Sequence, residues 1–521
     1  MSPSRMLLTR RSSLGLGAAL LASSSLSASA QAAFELRIVQ GADIDTLDPA
    51  VSRSTPSQIV FSNIFNTLVR WKDTKLSALE PDLAESWSKS EDGLRWNFKL
   101  RHGVKFHDAT PFDAEAVKFN LDRIADPALG SPNRSLFAGI TKVTVVDSMT
   151  VEIETREQSP ILLDILAEKC SSMNSPTAVK KLGRTYSRRP VGTGPYVLSE
   201  WIPGQQVTIK RNADYFGVAG GPASMVFRPV PEAGARLIEL QAGNADIALN
   251  ISPESASQVR GNRSTRLIEE PSSFQIFFEL NTVRPPFNDP RVRRAVNYAV
   301  DRKAIIEQIL DGYGRMPEGV FPEGVQGRVK QFAYPYDPDR ARKMLGEVFP
   351  GGYKDKVVIW TSAGRYMKDG SVAEAVQSYL NAIGLATEFK VWEWATYQKT
   401  LYAPQQGGTG RGSNAANMWL LGTGVTNAEW RLRRKFFSTD PSNLTGYSNP
   451  RIDVLLNAAS TDMDDASRMK AYGEVQRIVW NEFPNALVLF DQVQLIGTGA
   501  GIAGLEVFGD EIVKLDRVTR S

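Results

Sequence analysis

The sequence predicts a mixed α/β protein built from more than one folding unit, and three observations carry that expectation. The chain has 521 residues, well beyond the length at which a single core stops growing, so about three units are expected. With 42% hydrophobic and 23% charged residues, it has the composition of a globular protein. Stretches of period two and of period 3.6 follow one another without strict alternation, which argues against a barrel or one doubly wound sheet.

Residues 1–33 read as an export signal. Arg5, Arg10 and Arg11 precede the apolar run from Leu14 to Leu26, and Ala28-Ser29-Ala30 or Ala30-Gln31-Ala32 offers an A-x-A cleavage site. Thirteen helical residues span about 20 Å, short of a bilayer core of about 30 Å, so a leader is expected and not an anchor. Thr9-Arg10-Arg11-Ser12-Ser13-Leu14 resembles a twin-arginine signal with Ser13 in place of the usual Phe; the general secretory route stays open. No cysteine adjoins the cleavage site, so no lipid anchor is expected, and the mature chain is expected to be soluble and periplasmic.

Beyond the leader, Leu94, Trp96, Phe98 and Leu100 alternate with Arg95, Asn97, Lys99 and Arg101, which predicts a strand. Asp113 can cap a helix whose apolar face is Ala114, Val117, Leu121 and Ile124. Val143–Val146 and Thr150–Ile153 flank a turn and predict a hairpin. Asp289-Pro290 is an N-cap followed by Pro at the first helical position; Val292, Ala295, Val296 and Ala299 then share one face. The pattern restarts at Asp301 and stops at Gly312. Val372–Ile383 predicts a further helix, Thr387–Val391 a strand, Ala466–Val479 a helix and Ala486–Phe490 a late strand. Gln405 to Gly412 predicts a surface loop.

Charge and scarce residues exclude several functions. There are 61 Lys and Arg against 57 Asp and Glu. Removing Arg5, Arg10 and Arg11 with the leader leaves 58 against 57, so nothing in the bulk charge favours nucleic acid or an anionic membrane. One cysteine, Cys170, forms no internal disulfide and is expected as a buried packing residue. His102 and His107, the two histidines, are five apart, a spacing that suits neither a helical ligand pair nor one face of a strand. No metal site and no cofactor are expected. Gly499-Ala500-Gly501-Ile502-Ala503-Gly504 matches a dinucleotide fingerprint in letters, but too little chain follows it for the helix, strand and acid that the fingerprint needs. No Gly-x-Ser-x-Gly elbow occurs, both histidines fall in one turn, and Asp464-Asp465 reads as a helix start.

Several blocks together resemble one family. Glu80-Pro81-Asp82-Leu83-Ala84-Glu85-Ser86-Trp87, Leu100-Arg101-His102-Gly103-Val104-Lys105-Phe106-His107-Asp108 and Pro111-Phe112-Asp113-Ala114-Glu115-Ala116-Val117 resemble the signature of the peptide/nickel-type, family 5 solute-binding proteins of ABC importers. Gly192-Thr193-Gly194-Pro195-Tyr196, Asn281, Asp289 to Ala295 and Tyr447-Ser448-Asn449-Pro450 follow in the family's order. The resemblance spans 34–521. It implies a two-lobed periplasmic-binding-protein architecture with a hinge. Lobe one would be 34–272 with a subdomain near 50–175, lobe two 273–484, and 485–521 would return to lobe one. In this light His102 and His107 belong to a turn, and Gly192, Gly194 and Pro195 to a backbone feature near the lobe crossing.

The resemblance also directs attention to the pocket. Peptide-binding members commonly place an aspartate after a Gly-Trp pair to hold the ligand ammonium. Here the segment reads Trp419-Leu420-Leu421-Gly422-Thr423-Gly424-Val425-Thr426-Asn427-Ala428-Glu429-Trp430, with no Asp, and is more similar to the dipeptide/glutathione-binding branch. Trp419 and Trp430 are candidates to wall the ligand, or to pack a core. Thr423, Thr426 and Asn427 are candidate hydrogen-bonding groups, or turn formers. Glu429 would pair with a ligand ammonium or with Arg431 or Arg433. Arg134 suits a carboxylate, or is solvated. Asp45 and Thr46, ahead of Asp48, and Tyr366 beside Arg365, complete the candidates.

The expected function is therefore capture of a peptide-like solute, a short peptide or a glutathione-like one, for delivery to an inner-membrane ABC permease. The protein is expected to be monomeric and not an enzyme, with neither nucleic acid nor inserted membrane as partner. The alternatives are a receptor for an opine, sugar, metal chelate or haem, and a secreted hydrolase.

Overall fold

The computed structural model describes residues 34–218, 220–402, 416–424 and 427–521. The expected export signal over 1–33 and the loop expected at 405–412 lie outside the described residues.

The first layer forms as its pattern requires. Strand Arg95–Leu100 buries Trp96, Phe98 and Leu100. It lies between Ala84–Lys89 and the hairpin Ile140–Asp147/Thr150–Thr155 in a four-stranded antiparallel sheet. Helix Ala114–Ala125 covers that sheet with Val117, Leu121 and Ile124, and the Asp113 carboxylate caps it by accepting from the Ala116 N–H at 2.9 Å.

The main sheet has eleven strands and mixed pairing. Val357–Ser362, parallel to both Thr387–Trp392 and Met418–Thr423, forms one flank, while Glu35–Gln40, parallel to Ser224–Pro229, belongs to the other. Between them run two long antiparallel strands, Thr265–Leu280 and Ala486–Gly499. Their register breaks between Pro271 and Gln275, where proline has no N–H to give the ladder. Ser273 turns aside there, and its N–H donates to Gly509 O at 2.8 Å.

The late strand is longer than its apolar run predicts, reaching Gly499 instead of Phe490. Its continuation carries Asp491, Gln492 and Gln494, which are buried but bonded. Gln275 Nε2 donates to Asp491 at 2.9 Å, Gln494 Nε2 donates to Phe508 O at 2.9 Å, and Gln492 donates to Glu511. After Gly499 the chain turns into the short strand Ile502–Ala503 and not into a helix, so the glycine pattern there builds no nucleotide site. Helix Pro290–Ala299 starts at Asp289 as expected. The segment after Asp301 forms one α turn, Arg302–Ala304, and then widens to a π-helical turn over Ile305–Ile309.

The apolar interior divides into two clusters. One gathers Leu36, Phe98 and Leu515 among others; the second centres on Phe277, Phe278, Val376 and Leu432. Leu237, Leu240, Ala256 and Val259 join the second cluster, because helices Ala233–Gln241 and Pro253–Gly261 lie against the long strand pair.

His107 and the Gly192–Gly194 turn lock together. The Gly192 N–H donates to His107 Nδ1 at 3.3 Å, His107 Nε2 donates to Gly194 O at 3.0 Å, and the His107 N–H donates to Gly192 O at 2.8 Å. Burial lowers the pKa of the ring, and a ring that must accept at Nδ1 is neutral. A lowered folded-state pKa means that the unfolded chain binds the proton first, so stability is full above about pH 6.5 and falls as pH drops through it. Urea denaturation at pH 7.5 and 5.5 is expected to show a smaller pH loss for His107→Gln than for the parent. A Cβ on Gly194 would lie 2.5 Å from the carbonyl carbon of Ile64; Gly194→Ala is expected to lose about 1–3 kcal/mol in the same measurement.

Candidate functional site

Residues from both ends of the chain and from its middle converge on one cavity of about 130 Å³. Its floor is built by glycines. A side chain on Gly422 would strike the Tyr366 ring at 2.6 Å, so the absence of one lets that ring lie against the end of strand Met418–Thr423. Phe274 presses in the same way against Gly424. Tyr366 then meets Trp394 edge-on, with ring centroids 5.8 Å apart.

Arg365 is held inside this aromatic wall. Its guanidinium lies 4.7 Å from the Tyr366 ring centre, 5.3 Å from that of Phe274 and 5.6 Å from that of Trp394. It donates to Glu511 at 2.8 Å and to Thr55 Oγ1 at 2.9 Å. Burial alone would lower its pKa, but Glu511 and the neighbouring Tyr366 leave it raised, so it stays charged. Trp394 Nε1 donates to Ser54 Oγ at 2.9 Å. These bonds tie 54–55 and 511 to 365–394 across the cavity.

Helix Ala428–Phe436 supplies the facing wall. Asn427 caps it by accepting from the Trp430 N–H at 3.3 Å. Trp430, Arg431 and Arg434 line the cavity from it, opposite Arg53 and Asp510. Burial lowers Arg431 to about 10, and burial followed by the charge of Arg53 lowers Arg434 to about 9. Asp510 is shifted the other way, raised by burial. The lone thiol, Cys170, also faces the cavity; burial pushes it up to about 12.

The candidates read from sequence divide. Tyr366, Thr423 and Trp430 line this cavity. Asp45 and Arg134 line a wider adjoining groove of about 1520 Å³, which shares Arg53, Gln398 and Tyr402 with the cavity. Asp45 is engaged there by the Ser57 and Ser52 hydroxyls at 2.6 and 2.9 Å, and Thr46 Oγ1 accepts from the Asp48 N–H at 3.1 Å. Both are thus engaged in local hydrogen bonds of the turn they occupy. Arg134 is exposed and donates to Ala125 O at 2.9 Å. Trp419 lies elsewhere: it is fully buried and donates to Glu279 at 2.8 Å, because its strand position points into the second core. Asn427 caps its helix and donates to Asp164 at 2.5 Å. Glu429 is buried, accepts from the Tyr472 hydroxyl at 2.5 Å and pairs with Arg433 at 3.9 Å, the ion-pair reading. Thr426 lies outside the described residues. Sequence reasoning did not single out Arg53, Trp394, Arg434 or Asp510; the i, i+4 spacing of Trp430 and Arg434 was the available signal for one of them. Among the described residues no His, Cys, Asp or Glu group could hold a metal ion, and no helix is long and apolar enough to cross a membrane.

The comparisons with known proteins agree on this architecture. Residues 78–427 match the profile of the bacterial extracellular solute-binding proteins, family 5, middle region. The glutathione-binding protein GsiB of Escherichia coli O1:K1 is 33% identical over 481 residues, covering 90% of this chain and 91% of the relative. The periplasmic binding protein DppA of Helicobacter pylori, solved with the peptide STSA, superposes with a TM-score of 0.84 at 24% identity, over 94% of this chain and 98% of its own. MoaA of A. tumefaciens R10, solved with mannopinic acid, gives 0.83 at 26% identity, over 94% and 100%. These neighbours are two-lobed binding proteins.

Removing Arg365 leaves Glu511 buried without its cation, and such a loss costs about 3–5 kcal/mol. Arg365→Met is expected to lower the stability by that amount in chemical denaturation. The double variant with Glu511→Gln is expected to recover part of it, so that the cycle reads out the coupling.

Proposed function

The chain belongs to the bacterial extracellular solute-binding proteins of family 5, and on that footing we propose that it captures a peptide-like small solute, a short peptide or a glutathione-like one, and delivers it unchanged to an inner-membrane ABC permease. In this reading the mature protein works in the periplasm after loss of the leader at 1–33, without a lipid anchor. Lobe one comprises 34–272 and 485–521, with its subdomain near 50–175, and lobe two comprises 273–484. The hinge is the broken register at Pro271–Gln275 in the long strand pair.

The observation that carries the reading is the cavity lined from both sides of that break by charged groups and aromatic rings. Direct contacts already join the two lobes of this reading, at the cavity and beside it: Ser54 with Trp394, Thr55 with Arg365, Asp164 with Asn427, and Glu254 with Lys368 at 2.7 Å. A solute that adds contacts to both lobes biases the molecule toward the closed form by its differential affinity alone. Moving a population from 1:99 to 99:1 takes about 5.5 kcal/mol, which a few charge-assisted hydrogen bonds at about 1.5–3 kcal/mol each supply. The second reading, a carboxylated non-peptide solute of the opine kind, is favoured by the similarity to MoaA and by the guanidinium groups of the cavity.

Native mass spectrometry of the purified protein, with calorimetry against glutathione, dipeptides and mannopinic acid, tests the proposal. Saturable one-to-one binding of an unaltered solute is expected; turnover of the solute, or binding of none of them, would sink it. Because Trp394 sits at the lobe contact, Trp394→Phe is expected to reduce the ligand-induced change in tryptophan fluorescence, leaving the share of Trp430, and to weaken binding by about three- to ten-fold, through loss of its hydrogen bond to Ser54.

A further inference from the structure

The charges of the cavity are not all settled within the protein. Arg365 has Glu511 at 2.8 Å, and Lys435 has Glu279 at 2.5 Å. Arg53 and Arg434 have no ion-pair partner among the described residues. Arg53 Nε donates to Asn133 Oδ1 at 3.1 Å and Arg53 Nη2 donates to Ser442 Oγ at 3.0 Å, both neutral acceptors. Arg434 is 7% exposed. Its guanidinium rests 4.4 Å from the Trp430 ring centre and makes no hydrogen bond to any described residue. Both arginines line the cavity, one from each side, near Tyr402 and Cys170. Asp510 makes no ion pair with either arginine, and Asp440 reaches them only through its field.

A buried guanidinium without a counter-ion is costly, and two of them brought to one cavity also repel. Narrowing the cavity therefore works against itself until something negative enters. A planar carboxylate answers both costs, because the Arg434 guanidinium offers a fork of N–H donors matched to its two oxygens, and Arg53, partly engaged by Asn133, Ser442 and Tyr402, adds its charge and its remaining N–H donors. We propose that Arg53 and Arg434 clasp a carboxylate of the solute, one guanidinium from each lobe, and so restrict the solute to carboxylate-bearing anions whose acid group enters between Tyr402 and Trp430. This rests on the solute-binding reading and narrows it. It also explains why a stretch as basic as Arg431–Lys435 is turned inward: the positive charge serves the cargo and not the surface.

Thermal denaturation of the whole mature protein with glutarate, and with glutaramide as its neutral counterpart, at constant ionic strength, tests the clasp without knowledge of the natural cargo. Glutarate is expected to raise the midpoint of the parent protein in a saturable way and glutaramide is not. In Arg434→Gln and Arg53→Gln the apparent affinity for glutarate is expected to fall about ten-fold or more, with Arg434→Lys retaining part of it. Equal stabilisation of parent and both Gln variants, or no advantage of glutarate over glutaramide, would overturn the clasp. The ligand-free Arg434→Gln protein is expected to melt close to the parent, since the variant loses the contact with the Trp430 ring but no hydrogen bond or ion pair to a described residue; a marked drop would make Arg434 a structural residue and overturn the clasp too. The broader reading fails separately: a parent that binds glutarate but no candidate solute leaves the clasp standing, whereas a cargo bound equally by parent and Arg434→Gln leaves only the broader reading.

Discussion

The pairing of Thr265–Leu280 with Ala486–Gly499 is the constraint on which the other arrangements hang. A strand of sixteen residues is about 54 Å long at ~3.4 Å per residue, more than the depth of one core, so its ends are buried in different places. That geometry forces two apolar clusters onto one ladder. It also makes the interruption between Pro271 and Gln275, with a second register shift at Ile276/Phe277 beside it, a place where the ladder bends at little cost, because the regular pairing is already broken there. The same pairing brings the C-terminal stretch back across the crossing, and Glu511 thereby reaches Arg365 although the two lie far apart in the chain.

The cavity shows how a fold separates charges it keeps from charges it exposes to a guest. Arg365 is neutralised, boxed by three aromatic rings and bonded to both flanks, so it acts as a rivet. Arg431 gives one donor to Gln275 and keeps two nitrogens without acceptors. Arg53 and Arg434 are held by aromatic or neutral neighbours only. The gradient runs from internally balanced at the hinge side to unbalanced at the wide groove, whose rim carries Arg134, Arg156, Arg188 and Lys399. A field of that form draws anions inward.

Much of the architecture was legible because its local signals and its packing agree. The Asp113 and Asp289 caps, the alternation around Phe98 and the family blocks all point one way. The late strand was under-read because period-two hydrophobicity fails where polar side chains are buried and bonded, as at Asp491, Gln492 and Gln494. In the site, Tyr366, Thr423 and Trp430 were accessible to reading because they adjoin a glycine-rich segment. Trp419 was not, since which face of a central strand meets the cavity is decided by partner strands that no local pattern names. Arg434 was the hardest case. Arg431-Leu432-Arg433-Arg434-Lys435 looks like a solvated helix face, and its burial is set by the segment around Arg53, some 380 positions away.

Cys170 gives the chamber a chemical character of its own. Burial pushes its pKa up to about 12, so the neutral thiol is the form it holds at pH 7. Exchange with sulfur compounds runs through the thiolate anion. The thiol that faces the chamber is thus held in its less reactive, protonated form, and it meets the chamber as a small apolar surface.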